Sequence, residues 1–148
     1  MKKILLDTNI LLDIALKREP HFADSAALFK KLDEKKILAY ITATTITDIY
    51  YISKKAKDHS TAIQFISNLL QIVDILGVNK EVVLLSLQSD LPDFEDAIQI
   101  NSAELNGIKT INTRNKKDFK NVKQKIETPR RVFGGTQIIF GNQLTLIS

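Results

Sequence analysis

Four short apolar runs, residues 4–6, 37–41, 72–76 and 108–112, are each separated from the next by stretches whose apolar residues recur at helical spacing. The runs are too short for helices and end in turn or capping residues, which predicts buried strands. Strands joined only through helices run parallel, because an antiparallel pair needs no more than a turn between its members. The intervening stretches predict helices over about 8–16, 21–35, 42–56, 61–70, 79–88 and 93–106, with Gly107 ending the last and a short fifth strand over 124–127. The order βααβααβααβ, closed by that short strand, predicts an α/β fold. It is a three-layer α/β/α sandwich with a mostly parallel central sheet, built as one domain over residues 1–133. Residues 134–148 form a tail of different texture, in which two β-type runs around Gly141-Asn142 read as a hairpin.

In such a sheet, ligands gather at the carboxyl ends of the strands. The first strand delivers Ile4-Leu5-Leu6 into Asp7, and the second is followed closely by Asp48. Asp93-Phe94-Glu95-Asp96 opens the sixth helix, and Asp118 follows the fourth strand. Each acid also has a plainer reading. Asp7, Thr8 and Asn9 are all residues that begin helices, and Asp48 stands three residues after Thr45 as in a capping box. Asp93 fits as an N-cap with Asp96 at its third position, and all three acids, Glu95 included, are favoured by the helix dipole. Asp118 balances neighbouring lysines, and Asn115 suits a turn. None of these readings explains why Asp7, Asp48, Asp96 and Asp118 fall at one edge, where like charges repel unless a cation offsets them.

The chain has no cysteine, and its two histidines, His21 and His59, are far apart. A metal at that edge would be held by carboxylates, which favours Mg²⁺ or Mn²⁺ over Zn²⁺. Such an ion serves phosphodiester hydrolysis. Charge points the same way. Residues 109–131 carry nine Lys and Arg against two acids, a net +7, so the rest of the chain is −3. A basic segment beside acids suits a polyanion held near a bound cation, although a solvated Lys-rich surface would look alike. The lack of cysteines fits a reducing cytosol. No apolar run is long enough to span a membrane, and the first is interrupted too soon by Asp7 for a signal peptide.

Leu6-Asp7-Thr8-Asn9, Asp93-Phe94-Glu95-Asp96-Ala97 and Thr113-Arg114-Asn115-Lys116-Lys117-Asp118-Phe119, in this order and these settings, resemble a PIN domain. Within that family the chain is similar to VapC-like ribonuclease toxins and their solitary relatives, over about residues 1–133. The resemblance implies an Mg²⁺- or Mn²⁺-dependent endoribonuclease acting on single-stranded or structured RNA in the cytoplasm. It also implies a homodimer and, for a toxin, a small antitoxin partner. By motif match Asp7, Asp96 and Asp118 are the metal-binding acids and Asp48 the acid of the third helix. Asp93 is an extra acid that binds metal or only caps its helix. Arg114, Lys116, Lys117 and Lys120 would hold the phosphate backbone, with Thr8 and Asn115 in support. One position departs from the family, which usually has Glu where this chain has the shorter Asp48. That departure motivates the alternative of a weak or inactive PIN module that binds RNA or protein. A phosphoryl-acceptor domain would want a second acid close behind Asp7 or a suitable lysine, and Thr8-Asn9 supplies neither.

Overall fold

The computed structural model describes residues 1–34 and 36–130; the expected tail hairpin and the end of the closing segment lie outside them. Five strands form one sheet: β1 (Lys3–Leu6), β2 (Leu38–Thr42), β3 (Val73–Leu76), β4 (Thr110–Asn112) and β5 (Lys125–Glu127). Their order is β3-β2-β1-β4-β5, and every pairing among them is parallel. Six helices complete the fold: α1 (Thr8–Ala15), α2 (Phe22–Asp33), α3 (Ala43–Ala56), α4 (His59–Leu69), α5 (Lys80–Leu87) and α6 (Phe94–Leu105). The expected architecture is the observed one. A 3-10 helix over Lys116–Phe119 was not anticipated. No helix among the described residues is long and apolar enough to cross a membrane.

The sheet is buried on both faces, and β1 shows why its sequence is continuously apolar. Successive side chains of a strand point to opposite faces. Ile4 and Leu6 pack with Ile10, Leu11, Leu28, Phe29 and Ile49 in a core covered by α1 to α4. Leu5 points the other way, into a smaller core with Ala103, Ile111 and Phe119. Burying a side chain such as Leu11 or Ile111 contributes about 1.5–3 kcal/mol.

Local chemistry sets the element ends. Asp58 Oδ1 accepts the Thr61 N–H at 2.7 Å, so α4 begins two residues earlier than the periodicity suggests. Asn79 Oδ1 caps α5 through the Val82 N–H at 3.1 Å. At the end of α6, Gly107 adopts φ +69°, a left-handed conformation that costs glycine little. The Ile108 N–H then donates to the Ala103 carbonyl at 2.9 Å, which turns the chain toward β4.

This topology places one crevice. The chain leaves β1 for β2 on one side and returns to β4 on the other, so the strand order reverses at the carboxyl ends of β1 and β4. The two ends lie side by side. The Asp7 N–H donates to the Asn112 carbonyl at 2.9 Å, and the Thr113 N–H donates to the Glu127 carbonyl at 2.9 Å.

Candidate active site

Asp7 occupies the N-cap position of α1, yet its side chain makes no capping hydrogen bond. Its carboxylate is buried, and Oδ2 accepts from Thr113 Oγ1 at 2.7 Å. The same hydroxyl accepts the Asn115 N–H at 3.0 Å, so Thr113 ties the loop after β4 to the end of β1. Burial pushes the Asp7 carboxyl above the ordinary carboxylate range; the Thr113 hydroxyl and the Gln99 amide pull it partly back, and the field of Asp118 adds to the rise.

A second group of contacts reaches Asp7's neighbour. Thr8 Oγ1 donates to Glu95 Oε1 at 2.8 Å and lies 2.9 Å from Thr45 Oγ1. A hydroxyl has one proton to give. With that proton on Glu95, Thr45 must donate to Thr8, and Thr42, 3.1 Å from Thr45, can donate in turn. Gln99 Nε2 also donates to Thr8 Oγ1, at 3.3 Å. A fixed chain of hydroxyls therefore runs from the end of β2 to the end of β1 and finishes on a carboxylate of α6.

That carboxylate is not ordinary. Burial, a hydrogen bond with Asp48 and the fields of Asp48 and Asp7 push Glu95 up to about 7, against the opposing Thr8 hydroxyl. Next to it, Asp96 is pushed up to about 7 by burial and then by the fields of Asp7, Asp93, Asp118 and Glu95. Acids from four places thus share one electrostatic environment: Asp7 after β1, Asp48 on α3, Glu95 and Asp96 on α6, and Asp118 on the 3-10 helix. Among the described residues none of the five is in an ion pair with a lysine or arginine.

The sequence reading gave Thr45 only an N-cap position, which Thr42 holds instead, and assigned no part in the site to Glu95, Gln99 or Thr113. Glu95 had been absorbed by the helix-dipole explanation. The available signal was spacing, since Glu95 and Gln99 are four apart on one helix face, and Gln99 is a polar residue among Ala97, Ile98 and Ile100. Asp93 has the plainer role. It is exposed, and its Oδ1 caps α6 through the Asp96 N–H at 2.9 Å. Asn115 stands at the start of the 3-10 helix without a side-chain cap, and its carbonyl accepts the Asp118 N–H at 3.0 Å.

The cations separate into two groups. Arg114, grouped by its motif with the phosphate-holding residues, is instead turned to Asp13, with Nε 2.8 Å from Oδ2 and Nη2 3.4 Å from Oδ1. Asp13 is wholly buried in the last turn of α1, where the helix dipole disfavours an acid, and Arg18 approaches it at 3.9 Å. The ion pair clamps the loop after β4 onto α1. Lys123, Lys125 and Arg130 pair with Glu104, Glu127 and Asp24. Lys116, Lys117 and Lys120 remain exposed beside Asp118, without ion pairs among the described residues.

Among the described residues, no group of three or more acids or histidines could hold a metal ion with the side chains as they are placed. The donors that crowd the crevice are carboxylate and hydroxyl oxygens, however, and their mutual repulsion is what a hard divalent cation relieves. The residues fit Mg²⁺ or Mn²⁺ in donor type and in charge.

A family model described as the PIN domain matches residues 3–117, from β1 into the 3-10 helix. The chain belongs to the PIN domain family. Among solved structures, this PIN domain is similar to VapBC2 from Rickettsia felis bound to a DNA fragment from its promoter, with a TM-score of 0.66 and 18% identity over 85% of this chain and 98% of that one. It is also similar to a toxin–antitoxin complex from Klebsiella pneumoniae, with a TM-score of 0.64 and 24% identity over 85% of this chain and 97% of that one. A third likeness is to Mycobacterium tuberculosis VapC20, a sarcin-ricin loop cleaving toxin, with a TM-score of 0.60 and 15% identity over 73% and 86%. At these identities the likeness is one of fold. No curated protein sequence matches the chain.

Two expectations follow from the geometry of this PIN domain. An acid whose pKa is raised in the fold contributes stability while protonated and loses it as pH rises. With Glu95 and Asp96 raised to about 7, metal-free protein loses stability between about pH 4 and pH 7. Each half-buried acid contributes about 1 kcal/mol to that loss after discounting for solvent screening. Urea midpoints at pH 5 and pH 8 measure it, and Asp96→Asn should raise the metal-free midpoint at pH 8. Arg114→Ala leaves Asp13 buried with only the distant Arg18, and should cost about 3 kcal/mol in urea unfolding.

Proposed function

We propose that this PIN domain is a divalent-metal-dependent endoribonuclease that cleaves single-stranded RNA, and that it acts in the cytoplasm as the toxin of a toxin–antitoxin pair. The observation that carries the reading is the crowding of Asp7, Asp48, Glu95, Asp96 and Asp118 at the crevice between β1 and β4, where burial and the fields of neighbouring acids raise the pKa values of Asp7, Glu95 and Asp96. One or two Mg²⁺ or Mn²⁺ ions would be held by Asp7, Asp96 and Asp118, with Asp48 as a further partner. When bound, such an ion activates water and offsets charge on phosphoryl oxygens.

The chain's own residues do the positioning. Thr113 and Gln99 orient the Asp7 carboxylate, and the row of threonine hydroxyls orients Glu95 through Thr8. Glu95 is one methylene longer than Asp48 and lies against it, so it supplies reach that the third-helix position lacks. Lys116, Lys117 and Lys120 flank Asp118 and would hold backbone phosphates. The toxin role is supported by likeness to chains from VapBC and related toxin–antitoxin complexes, and it implies a small antitoxin partner. A second reading, a PIN module that binds RNA without cleaving it, is favoured by Asp48 in the place of the family's usual Glu.

Incubation of the purified protein with single-stranded RNA, with and without Mg²⁺ or Mn²⁺, separates the two. Cleavage is expected with metal and absent with chelator. Removing an outer hydrogen-bond partner of a metal ligand generally costs about 10–100-fold, so Thr113→Val should fall in that range and Asp7→Asn beyond it. Cleavage that survives Asp7→Asn would sink the proposed site, whereas tight RNA binding without cleavage under either metal establishes the second reading. Binding to single strands weakens with salt at a log–log slope of about −0.7 per neutralised phosphate, so replacing Lys116, Lys117 and Lys120 together should flatten the slope by about 2. Arg114→Ala should leave that slope unchanged.

A further inference from the structure

Beside the acid crevice lies a cleft of about 540 Å³, and apart from Lys117, Asp118 and Lys120 its lining has no role in the proposed chemistry. Ligand-binding clefts generally span about 300–1,000 Å³. One wall is the connection between α5 and α6, a second is the outer side of α6, and a third is the segment that follows the 3-10 helix. Asp118, one of the crevice acids, is among the lining residues, so the cleft adjoins the crevice.

The lining is of mixed character. Near Asp118 stand Lys117 and Lys120, neither in an ion pair among the described residues. Leu91, Pro92 and Val122 give the cleft an apolar wall. The polar groups still available in the lining are mostly acceptors. Asn101 donates its amide hydrogens to Ser86 Oγ at 3.2 Å and Ala97 O at 3.0 Å, which leaves its carbonyl oxygen for a ligand. Gln124 likewise gives Nε2 to Glu104 Oε2 at 2.8 Å and keeps its oxygen. Asp90 makes no ion pair among the described residues and adds a carboxylate. Glu104 is not available, since Gln124 and Lys123 already hold it. Cations beside Asp118, an apolar wall and free acceptors are together the complements of a nucleotide's phosphate, base face and Watson–Crick donors.

We propose that this cleft receives a nucleotide of the RNA next to the cleaved bond and favours guanine there. Single-stranded RNA is read through the Watson–Crick edges of unstacked bases. Guanine presents adjacent N1–H and N2–H donors on that edge, which suit a carboxylate and amide oxygens. Adenine and cytosine each offer one amino group. Uracil offers a single N–H between two acceptor oxygens, which would face the acceptors of the cleft, so it is the worst fit. The inference rests on the nuclease reading for its biological sense but not for its test.

The test is a backbone-amide NMR titration of the full chain with GMP, AMP, CMP and UMP separately, without divalent metal. GMP is expected to shift Asn101, Val122 and Gln124, and to bind at least about fivefold more tightly than UMP, the low end for one well-formed bidentate pair. Asp90→Asn should abolish that preference, and Asn101→Ala should weaken GMP binding, each with the rest of the spectrum unchanged. Equal shifts from all four nucleotides, or shifts confined to the acids, would overturn the proposal. RNA cleavage by a protein whose cleft takes no nucleotide would overturn the cleft and leave the nuclease standing. GMP in the cleft of a protein that cleaves no RNA would uphold the cleft and remove the nuclease.

Discussion

The site depends on two parallel strands leaving the sheet side by side. β1 runs out into Asp7 and β4 into Thr113, and the hydroxyl of the second is donated to the buried carboxylate of the first. That one hydrogen bond joins three things that the chain keeps far apart: the start of α1, the sheet, and the loop that carries Asn115, the lysines and Asp118. Its strength follows from its setting, because a hydrogen bond to an ionised group removed from water is worth more than one in solvent. The burial that strengthens it also raises the carboxylate's pKa, so positioning and electrostatic cost have a single origin.

The fold answers the problem of buried acids in two ways. Asp13 is sealed in at the unfavourable end of α1 and is neutralised within the protein by Arg114, with Arg18 behind it. The acids of the crevice face one another with hydroxyls and an amide but, among the described residues, no internal cation, and burial together with their mutual fields raises Glu95 and Asp96 to about 7. A chain selected for stability alone would treat both groups alike. The contrast supports the proposal that the crevice holds an external cation, and it ties Arg114 to architecture although its motif lies among the lysines proposed to hold phosphate.

Much of this was legible along the chain. Apolar runs with turn signals at their ends located every strand within about two residues. Asn79 and Asp93 cap helices as their residue types predict, whereas Asp58, which reads as a break between helices, proves to be the cap of α4. The limit of that reasoning shows in Asp7 and Asp93. Both are acids at N-cap positions, and residue type cannot separate them. Asp93 caps, while Asp7 turns its carboxylate to Thr113. Asp48 shows the same limit from another side. Read alone, it is a shortened substitute for glutamate. Its environment includes Glu95, which the sequence reading had assigned to the helix dipole.

The sequence by itself determined the class of fold, the direction of the strands, and the edge at which Asp7, Asp48, Asp96 and Asp118 would gather. These follow from hydrophobic period and capping, which act over a few residues and are written locally. Only the tertiary structure decided which side chain meets which. Thr113 and Asp7 are 106 residues apart, Thr8 and Glu95 87, and Arg114 and Asp13 101. Contacts of that separation are made by sheet register and helix packing, and no local pattern encodes them. The acid edge could therefore be read before the fold was seen, while its hydroxyl scaffold, its fifth acid and the cleft beside it could not.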